Sequence, residues 1–250
     1  MKYIASLSFG KDSMAMLIKI LQNPQKYPLD EIVFCDVRAN KELSGNFDVQ
    51  EQFIIETIPR IEKMANVPVV VIKAHTTFDE QFFKVKGNKA KFPNTIYGFP
   101  MTLRAWCNDR LKMKPLDQYF KQQGEHIRYI GLAADEPRRL ARLEKNEIAP
   151  LYEMGITERE AKQICKDYNL LSPIYKYFDR DGCWFCPKQS IKSLYTIYTL
   201  FPKYWEILKE YQKHSPVPFK PNLTIFDLEE RFKKSKGVKV WVNVKAVEQI

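Results

Sequence analysis

A short stretch near the N-terminus constrains the fold of this chain more than any other. Residues 3–13 read Tyr-Ile-Ala-Ser-Leu-Ser-Phe-Gly-Lys-Asp-Ser, an apolar run that enters a small polar turn and continues into the largely apolar segment 14–21. Such a run is typical of a buried strand, and the segment after the turn is typical of a buried helix. We therefore predict a strand-to-helix loop from which the first amides of the helix point outward.

A loop of this kind can hold an anion, because the amides and the dipole at a helix N-terminus favour negative charge. The predicted nucleotide-binding residues of the turn are Ser8, Phe9, Gly10, Lys11, Asp12 and Ser13. Lys11, Asp12 and Ser13 are also the catalytic candidates here, with Lys11 and Ser13 stabilising charge on a leaving group. An ordinary polar helix cap is the alternative interpretation.

The turn is not a Walker motif, because the four-residue spacer between glycines is missing and Asp-Ser follows the lysine. It resembles the Ser-Gly-Gly-Lys-Asp-Ser pyrophosphate-binding loop of the adenine nucleotide alpha-hydrolase superfamily, which includes N-type ATP pyrophosphatases and sulfonucleotide reductases. The resemblance implies ATP or a related adenine nucleotide, with Mg²⁺ bridging the phosphates. Phe9 occupies the place of the first glycine, where a bulky residue is costly if φ is positive.

Strand and helix patterns alternate after this loop. Buried strands are predicted at 31–37, 67–73 and 127–132, with a helix at 48–65 that contains Pro59. This order predicts an α/β fold with a parallel, doubly wound, Rossmann-like sheet and helices on both faces. Asp36 ends the second strand, where an acid commonly meets a ribose hydroxyl or a metal, although it could equally cap the next turn.

The rest of the chain is predicted to be mainly helical. Helices are expected at 101–113, 115–123, 157–169, 191–200, 202–211 and 224–234, with an edge strand from Val238 to Lys245. Residues 75–100 show no clear period, which is typical of a lid or a binding segment. We predict a nucleotide-binding α/β domain at 1–140 and a cysteine-containing helical extension at 141–250.

The formal net charge of +10 is concentrated between Lys84 and Lys114. That span carries eight basic residues and one acid, Asp109. It suits a polyanionic partner, either a nucleotide or a nucleic acid such as tRNA or DNA, although a solvated lysine-rich loop is the alternative for its first part. No apolar stretch approaches the roughly 20 residues that span a bilayer, and the first strand leaves no room for a signal peptide, so we expect a soluble, cytoplasmic protein.

The cysteines form the second strong signal. Cys183-Trp-Phe-Cys186-Pro187 places two thiols at a spacing that can grip a metal or a cluster from one turn. Cys107 follows Trp106 on a predicted helix, and Cys165 lies between Cys107 and Cys183 in the sequence. In a cytosolic chain such cysteines favour metal or redox chemistry over structural disulfides.

Further blocks extend the resemblance. They are Gly98-Phe-Pro100, Arg104-Ala-Trp-Cys107, Leu111-Lys112, Pro115-Leu116, Gly131, Asp135-Glu136-Pro137, Arg139, the segment Pro150 to Gly155, Thr157-Glu158, Pro173-Ile-Tyr175 and Gly182-Cys183 to Cys186-Pro187. In this order they resemble the phosphoadenosine phosphosulfate reductase family in its broad sense, across about residues 4–190. The resemblance implies that Gly131 borders the nucleotide, and we take Lys112 and Arg139 as candidates for the anion of a second substrate.

The departures from that family concern its chemistry. Cluster-bearing adenylylsulfate reductases carry two adjacent cysteines where this chain has Cys107-Asn108, and here no cysteine follows Cys186 to supply their catalytic thiol. Ala133 stands where an arginine implicated in sulfate binding is usual. By analogy with tRNA-thiolating relatives, Cys107, Cys183 and Cys186 are candidates to hold a [4Fe-4S] cluster with one free iron. A closed Zn²⁺ site completed by Cys165 or a histidine is the alternative.

Three functions remain open at this point. The first is ATP cleavage at the α-phosphate with pyrophosphate release, which adenylates a substrate and possibly precedes sulfur transfer from a donor to nucleic acid. The second is reduction of adenylylsulfate or its 3′-phosphorylated form, with Cys35, Cys107 or Cys165 replacing the missing thiol. The third is a non-catalytic nucleotide- or nucleic-acid-binding module. The oligomeric state is not predicted.

Overall fold

A computed structural model describes residues 1–103 and 105–234. Arg104 and the predicted edge strand Val238 to Lys245 lie outside the described residues. Among the described helices, none is both long and apolar enough to cross a bilayer.

The secondary structure follows the predicted order with several additions. The strands are β1 (Lys2–Leu7), β2 (Glu31–Asp36), β3 (Val69–Lys73), β4 (His126–Ile130) and β5 (Glu147–Ile148). The α-helices are α1 (Lys11–Leu21), α2 (Asp48–Ala65), α3 (Phe78–Phe82), α4 (Trp106–Asn108), α5 (Lys114–Lys121), α6 (Pro137–Leu140), α7 (Pro150–Glu153), α8 (Glu158–Asp167), α9 (Ile191–Leu200), α10 (Pro202–His214) and α11 (Ile225–Lys234). A π-helical turn covers Asp109–Met113 and a 3₁₀ turn covers Pro173–Lys176.

The sheet has five parallel strands in the order β3-β2-β1-β4-β5. The predicted α/β class with a parallel sheet is therefore confirmed. The chain moves outward from β1 to β2 and β3, then returns to add β4 and β5 on the opposite side of β1. The connections that follow β1 and β4 consequently diverge, and such a switch point opens a crevice at the carboxyl ends of the two strands.

Packing divides the chain into two units. The first comprises Met1–Asp36, Asp48–Lys73 and Lys114–Tyr175, and the second comprises Val37–Phe47 and the described residues of 74–113 and 176–234. The predicted functional division near residue 140 stays a prediction.

The first unit covers both faces of its sheet. Successive residues of a strand point to opposite faces, so Ala5 packs with the core that contains α1, while Ile4 packs with Leu116 and Phe120 of α5. Helix α1 packs against α7 and α8, and every residue from Ser13 to Ile18 is buried. This two-sided burial explains why β1 and α1 read as almost continuous apolar runs.

The second unit is built around aromatic rings. Phe82 meets Phe99 at 5.2 Å between ring centroids, Phe99 meets Phe219 at 4.9 Å, and Trp205 meets Phe232 at 5.7 Å. Helix α10 packs against α9 and α11. Pairs of rings at these separations add roughly 0.5–1.5 kcal/mol each beyond the burial of their area.

One predicted helix is wrong at its start. The segment from Met101 was expected to be helical, but α4 begins only at Trp106. Met101 and Leu103 are 69% and 96% exposed. These apolar side chains, which suggested the buried face of a helix, therefore lie in solvent. The segment 75–100, expected to be irregular, contains α3, whose N-cap Thr77 forms a capping box with Glu80.

Thr157 provides a test of how α8 is held. Its side chain accepts a hydrogen bond from the amide of Glu160, whose carboxylate accepts one from the Thr157 amide at 2.8 Å. Thr157→Ala removes one half of this capping box and should lower the free energy of unfolding by about 1 kcal/mol. Thr157→Ser keeps the hydroxyl and should stay within about 0.5 kcal/mol of the parent in urea unfolding; equal losses in the two variants would contradict the cap.

Candidate functional site

The turn between β1 and α1 adopts the predicted strand-to-helix geometry. Gly10 is the N-cap of α1, in an extended conformation with φ −80° and ψ 160°, and it makes no side-chain capping bond. The amides of Lys11, Asp12 and Ser13 therefore form the first turn of the helix, where backbone donors have no partner within the helix itself. This is the polarity that suits a bound anion.

Ser13 holds the turn in shape. Its Oγ donates to the Gly10 carbonyl at 3.0 Å and accepts from the Ser8 amide at 3.1 Å. The Ser8 hydroxyl lies 3.2 Å from the same atom. Ser13 is buried, so in this conformation its hydroxyl closes the loop onto the helix.

Phe9, at the position of the glycine in the resembling loop, does have a positive φ. Its φ is +58°, the left-handed region that the family glycine would adopt easily and that a phenylalanine adopts at a cost. The side chain is fully buried and its ring meets Phe34 edge to face at 4.9 Å. Gln50 donates to the Phe9 carbonyl at 3.5 Å, and its own amide oxygen accepts from the Ser172 hydroxyl. Burial of the ring offsets the backbone strain.

The ammonium group of Lys11 is held by two carboxylates. Its Nζ lies 2.7 Å from Asp12 Oδ1 and 2.6 Å from Glu158 Oε2. Burial alone would lower the pKa of Lys11, but hydrogen bonds and charge from Asp12 and Glu158 outweigh it and raise that pKa. Lys11 therefore stays charged at neutral pH.

Asp12 shows that the turn carries excess negative charge. Burial raises the pKa of Asp12, and the nearby Glu158 and Glu136 add to the rise despite the pairing with Lys11. Two carboxylates, those of Asp12 and Glu158, thus hold one ammonium group, which leaves this group of side chains with a net negative charge when all are ionised. An approaching phosphate chain would be repelled unless a cation joins it.

The Tyr175 hydroxyl accepts a hydrogen bond from one amide in the first turn of α1. The Lys11 amide donates to the Tyr175 hydroxyl at 2.8 Å, across 164 positions of sequence. Neither Tyr175 nor Glu158 was among the predicted site residues, although both lie in blocks that carry the family resemblance. Their contact with the turn depends on the packing of α8 and the 3₁₀ turn, which no local pattern reveals.

Gly131 lies where the end of β4 meets the first turn of α1. A Cβ at this position would come within 2.7 Å of the Cα and N atoms of Ser13, distances that no side chain can accept. The contact places Gly131 beside the predicted phosphate-binding turn. Asp36 ends β2 at the same carboxyl edge of the sheet, opposite Lys73 of β3.

The acids and arginines after β4 form a local network. Arg139 Nη1 lies 2.7 Å from Glu136 Oε1, with the arginine side chain 56% exposed, and the Glu158 amide donates to Asp135 at 3.0 Å. Ala133, in place of the family's arginine, is fully buried.

Residues 183–189 of the second unit form a tight turn, which we name the knuckle, with buried aromatic residues inside it. The Cys186 amide donates to the Cys183 carbonyl at 3.1 Å, and the Gln189 amide donates to the Cys186 carbonyl at 3.1 Å. Trp184 and Phe185 between the cysteines are almost fully buried. Both cysteine residues are partly exposed, so the turn anchors its rings in the core while its cysteines lie nearer the surface.

A stack of three rings relates Cys107 to this knuckle. Phe78 stacks on Trp106 at 5.1 Å and on Phe185 at 4.0 Å between centroids. Trp106 precedes Cys107, and Phe185 precedes Cys186. The stack therefore brings two distant segments of the second unit together.

Backbone contacts with residues 44 and 45 fix the position of Trp184. Its amide donates to the Gly45 carbonyl at 3.0 Å, and its indole Nε1 donates to the Ser44 carbonyl at 2.9 Å. A Cβ at Gly45 would lie 2.7 Å from the Val37 carbonyl and 3.3 Å from the Phe185 ring. Packing, and not base stacking, accounts for Trp184.

The three thiols lie close enough to influence one another. Burial, followed by the charge of Cys186, raises the pKa of Cys107 to about 12. Burial and the same neighbour, together with Cys107, raise the pKa of Cys183, while Lys112 opposes the shift. Lys112 lies in the π-helical turn of this unit.

The residues present suit a thiophilic metal in their chemistry. All five cysteines are thiols without a disulfide, and the buried indole Nε1 of Trp106, beside Cys107, has no hydrogen-bond partner among the described residues. Such a donor suits a sulfur atom of a cluster. Within residues 1–103 and 105–234, no three metal-binding side chains converge on one point.

A pocket of about 370 Å³ opens beside Cys186. Its lining residues are Asp179, Arg180, Asp181, Gly182, Cys186, Lys188, Gln189, Ser190 and Ser193. Lys220 closes part of the knuckle by donating to the Pro187 carbonyl at 2.6 Å and to the Gln189 carbonyl. Burial lowers the pKa of Lys220, while the charge of Cys186 opposes the shift.

The other two cysteines belong to the first unit. Cys165 is buried in α8, where its Sγ donates to the Lys11 carbonyl at 3.1 Å, and Cys35 is buried in β2. Burial, with the charge of Asp12, raises the pKa of Cys165 to about 12. Its predicted role as a metal ligand stays a prediction.

No family model matches the chain. It is 24% identical over 235 residues to an uncharacterised protein of Methanocaldococcus jannaschii, covering 85% of this chain and 42% of that protein. It is 33% identical over 106 residues to an uncharacterised nin region protein of phage lambda, covering 39% of this chain and 34% of that protein. The chain thus spans less than half the length of either relative.

Among solved structures, the chain is similar to the U34-tRNA thiolase NcsA from Methanococcus maripaludis with its [4Fe-4S] cluster. The TM-score is 0.43 and the sequence identity 14%, over 94% of this chain and 71% of the thiolase.

The backbone strain at Phe9 predicts an unusual order of stabilities. Truncation of a buried phenylalanine costs about 3–5 kcal/mol whichever small residue replaces it. Because φ is positive here, Phe9→Gly should be more stable than Phe9→Ala by about 1–2 kcal/mol in urea unfolding. At Phe34, in the middle of β2, the order should reverse, with the glycine variant less stable than the alanine variant by about 0.5–1 kcal/mol. The same order at both positions would contradict the described loop.

Proposed function

We propose that this chain binds ATP or a related adenine nucleotide through the turn at residues 8–13 and cleaves it at the α-phosphate. The attacking atom is an oxygen of a second substrate, which becomes adenylylated, and pyrophosphate is released. The observation that carries the proposal is the first turn of α1, with its amides and the ammonium group of Lys11 at the switch point of a parallel sheet. The resemblance of the loop to the pyrophosphate-binding loop supplies the nucleotide class.

The bond changes follow from this assignment. A bond forms between the substrate oxygen and the α-phosphorus, while the bond from that phosphorus to the oxygen it shares with the β-phosphate breaks. The electron pair stays on pyrophosphate, and the proton of the attacking hydroxyl passes to solvent. The amides of Lys11, Asp12 and Ser13 and the Lys11 ammonium would stabilise the charge that builds on the leaving group.

The charge balance of the turn supports a requirement for a divalent cation. The carboxylates of Asp12 and Glu158 outnumber the ammonium group of Lys11, so the site by itself would repel a polyphosphate. Bound Mg²⁺ would neutralise part of this charge and bridge the phosphate oxygens. The carboxylates of Asp12 and Glu158 are the residues placed to hold it once Lys11 turns towards the nucleotide.

Two contacts of the resting loop would be exchanged on binding. The hydroxyl of Tyr175 accepts from the Lys11 amide, and Glu158 holds the Lys11 ammonium group. Phosphate oxygens offer both groups a more strongly charged acceptor. Asp36 and Gly131 are proposed to border the ribose and the phosphates.

For the second substrate, we propose a nucleic acid such as tRNA or DNA. Lys112 and Arg139 stay the candidates to bind its anionic groups. The net charge of +10 favours a polyanionic acceptor. A sulfur donor would follow adenylation if the reaction ends in thiolation.

We also propose that Cys107, Cys183 and Cys186 hold an iron–sulfur cluster or a zinc ion. When bound, a [4Fe-4S] cluster held by three thiolates supplies an iron able to carry sulfide, whereas zinc would serve as a scaffold. The ring stack on Phe78, the knuckle and the unpaired Trp106 indole would position and stabilise either group. The buried Cys165 is then a packing residue of α8.

Reduction of a sulfonucleotide is less well supported. That reaction needs an accessible thiolate to attack sulfur. Burial raises the pKa values of Cys107 and Cys165, two of the three candidate thiols, to about 12, and the third, Cys35, is buried in the sheet. The thiols of Cys107 and Cys165 would therefore stay protonated at neutral pH.

Lys11→Ala tests the proposed reaction. With Mg²⁺, labelled ATP and tRNA or DNA as the acceptor, the parent should release pyrophosphate and transfer labelled AMP to the acceptor, and loss of the ammonium group should slow both by about 100-fold or more. Chromatography of the labelled products measures both the rate and the position of cleavage. Lys19→Ala, at the opposite end of α1, should retain the parental rate.

Two results would contradict this proposal. One is release of ADP and phosphate, which would place the cleavage at the γ-phosphate. The other is ATP binding by calorimetry that is equal in the parent and in Lys11→Ala. Circular dichroism of each variant confirms that the fold is retained.

Metal content tests the proposed ligands. Protein purified without oxygen should contain iron, with the broad visible absorbance of a cluster, or about one zinc per chain. Cys107→Ser, Cys183→Ser and Cys186→Ser should each lose most of the metal, because one of three ligands is removed. Cys35→Ser and Cys165→Ser should keep it, and loss of metal in Cys165→Ser would instead make Cys165 a ligand. Metal-free parent protein would overturn the proposal.

A further inference from the structure

A projecting loop of the second unit takes no part in the proposed nucleotide site. Residues 83–97 fold back on themselves with an antiparallel bridge between Val85 and Ile96, and we name them the basic hairpin. The Lys86 amide donates to the Thr95 carbonyl at 2.8 Å, and the Tyr97 amide donates to the Lys84 carbonyl at 3.0 Å. The loop is therefore an ordered structure and not a random excursion.

The base of the basic hairpin is fixed to the core of its unit. The Gly98 amide donates to the Phe82 carbonyl at 3.0 Å, and the Phe99 amide donates to Ser215 Oγ at 3.1 Å. Gly98 has φ +65°, and a Cβ there would lie 2.6 Å from Ser215 Oγ, so only glycine fits this turn. These contacts hold the hairpin at a defined place from which its tip extends.

The charge of the basic hairpin has one sign. It contains Lys84, Lys86, Lys89 and Lys91, and the sequence holds no Asp or Glu between Glu80 and Asp109. Lys84, Lys89 and Lys91 are exposed, whereas Lys86 is half-buried with its Nζ 3.3 Å from Thr95 Oγ1. Lysines on the first arm and at the tip therefore form a cluster of cations without a neighbouring acid in the sequence.

Aromatic rings accompany these cations. Phe83 and Phe92 are 44% and 61% exposed, large values for phenylalanine side chains in a folded unit. The Lys91 Nζ lies 5.6 Å from the centroid of the Phe92 ring. An exposed ring beside an amine can stack on a base while the amine meets the adjacent phosphate.

We propose that the basic hairpin binds single-stranded nucleic acid, with Phe92 stacking on a base and Lys84, Lys89 and Lys91 contacting phosphates. The proposal locates the acceptor of the proposed function and rests on that function only for the reaction that follows binding. A single strand is favoured over a duplex because a duplex hides the base faces that an exposed ring would stack on.

The pattern of the first arm favours nucleic acid over an anionic membrane. Phe83 and Val85 share one face of this arm and Lys84 and Lys86 share the other, because successive residues of an extended segment point to opposite faces. Two side chains form only a small apolar face, whereas membrane binding scales with the apolar area that enters the lipid. The exposed lysines on the first arm and at the tip instead match the spaced phosphates of a strand.

Fluorescence anisotropy with a labelled single strand of about 20 nucleotides, as RNA and as DNA, tests the proposal. The triple variant Lys84→Gln/Lys89→Gln/Lys91→Gln should bind at least tenfold more weakly than the parent, roughly the effect of losing three phosphate contacts. The slope of log affinity against log salt should become shallower by about 2. Phe92→Ala should weaken binding by about tenfold with the slope unchanged.

Matched controls separate the hairpin from general charge and apolarity. Lys63→Gln/Lys121→Gln/Lys166→Gln removes three exposed lysines from helices of the first unit and lowers the net charge equally. Phe226→Ala removes a ring that is 38% exposed on α11. Both controls should bind within about twofold of the parent.

Three results would overturn the proposal. The first is equal weakening in the two triple variants, which would make the effect one of net charge. The second is duplex binding as tight as single-strand binding and insensitive to Phe92→Ala. The third is loss of binding to phosphatidylserine vesicles in the hairpin triple variant with parental binding to the strand, which would make this a membrane surface.

Failure of this proposal can be told apart from failure of the proposed reaction. Strand binding is measured without nucleotide, and Lys11→Ala should bind the strand as the parent does. Hairpin-dependent strand binding without any ATP cleavage would overturn only the reaction. ATP cleavage with strand binding that ignores the hairpin would overturn only the hairpin.

Discussion

The candidate nucleotide site depends on a backbone contact that admits no side chain. The end of β4 approaches the first turn of α1 so closely that a Cβ at Gly131 would meet Ser13 at 2.7 Å. In the turn that leads from β1 to this contact, Phe9 has a positive φ. The cost is tolerated because the Phe9 ring is buried against Phe34, so packing of the core maintains a strained loop at the sheet edge.

The charged and hydrogen-bonding groups of the same turn already have partners within the protein. Lys11 is paired with Asp12 and Glu158, and Tyr175 accepts the hydrogen bond of the first helical amide. A helix N-terminus that could receive a phosphate therefore has acceptors already in place. Binding of an anion would be an exchange of partners in which the released carboxylates become available to a cation, which links nucleotide binding to magnesium in the proposed reaction.

The second unit relies on aromatic packing in place of a sheet. Phe78 lies between Trp106 and Phe185, so the residues adjacent to Cys107 and Cys186 share one stack. The cysteine residues are partly exposed while the rings beside them are buried. This arrangement separates the two roles of the knuckle, because its rings stabilise the unit while its cysteines lie nearer the surface. The basic hairpin extends from the same aromatic core through Phe82 and Phe99.

The sequence by itself determined the parallel α/β class, the strand-to-helix turn, the capping box of α8 and the knuckle spacing, because each is written in a short range of residues. Only the tertiary structure brought Glu158 and Tyr175 to Lys11, placed Phe78 between two aromatic segments and exposed the apolar residues after Pro100. The roles predicted for the site residues remain predictions. Contacts between residues more than 100 positions apart depend on how whole elements pack, and local periodicity carries no record of that packing.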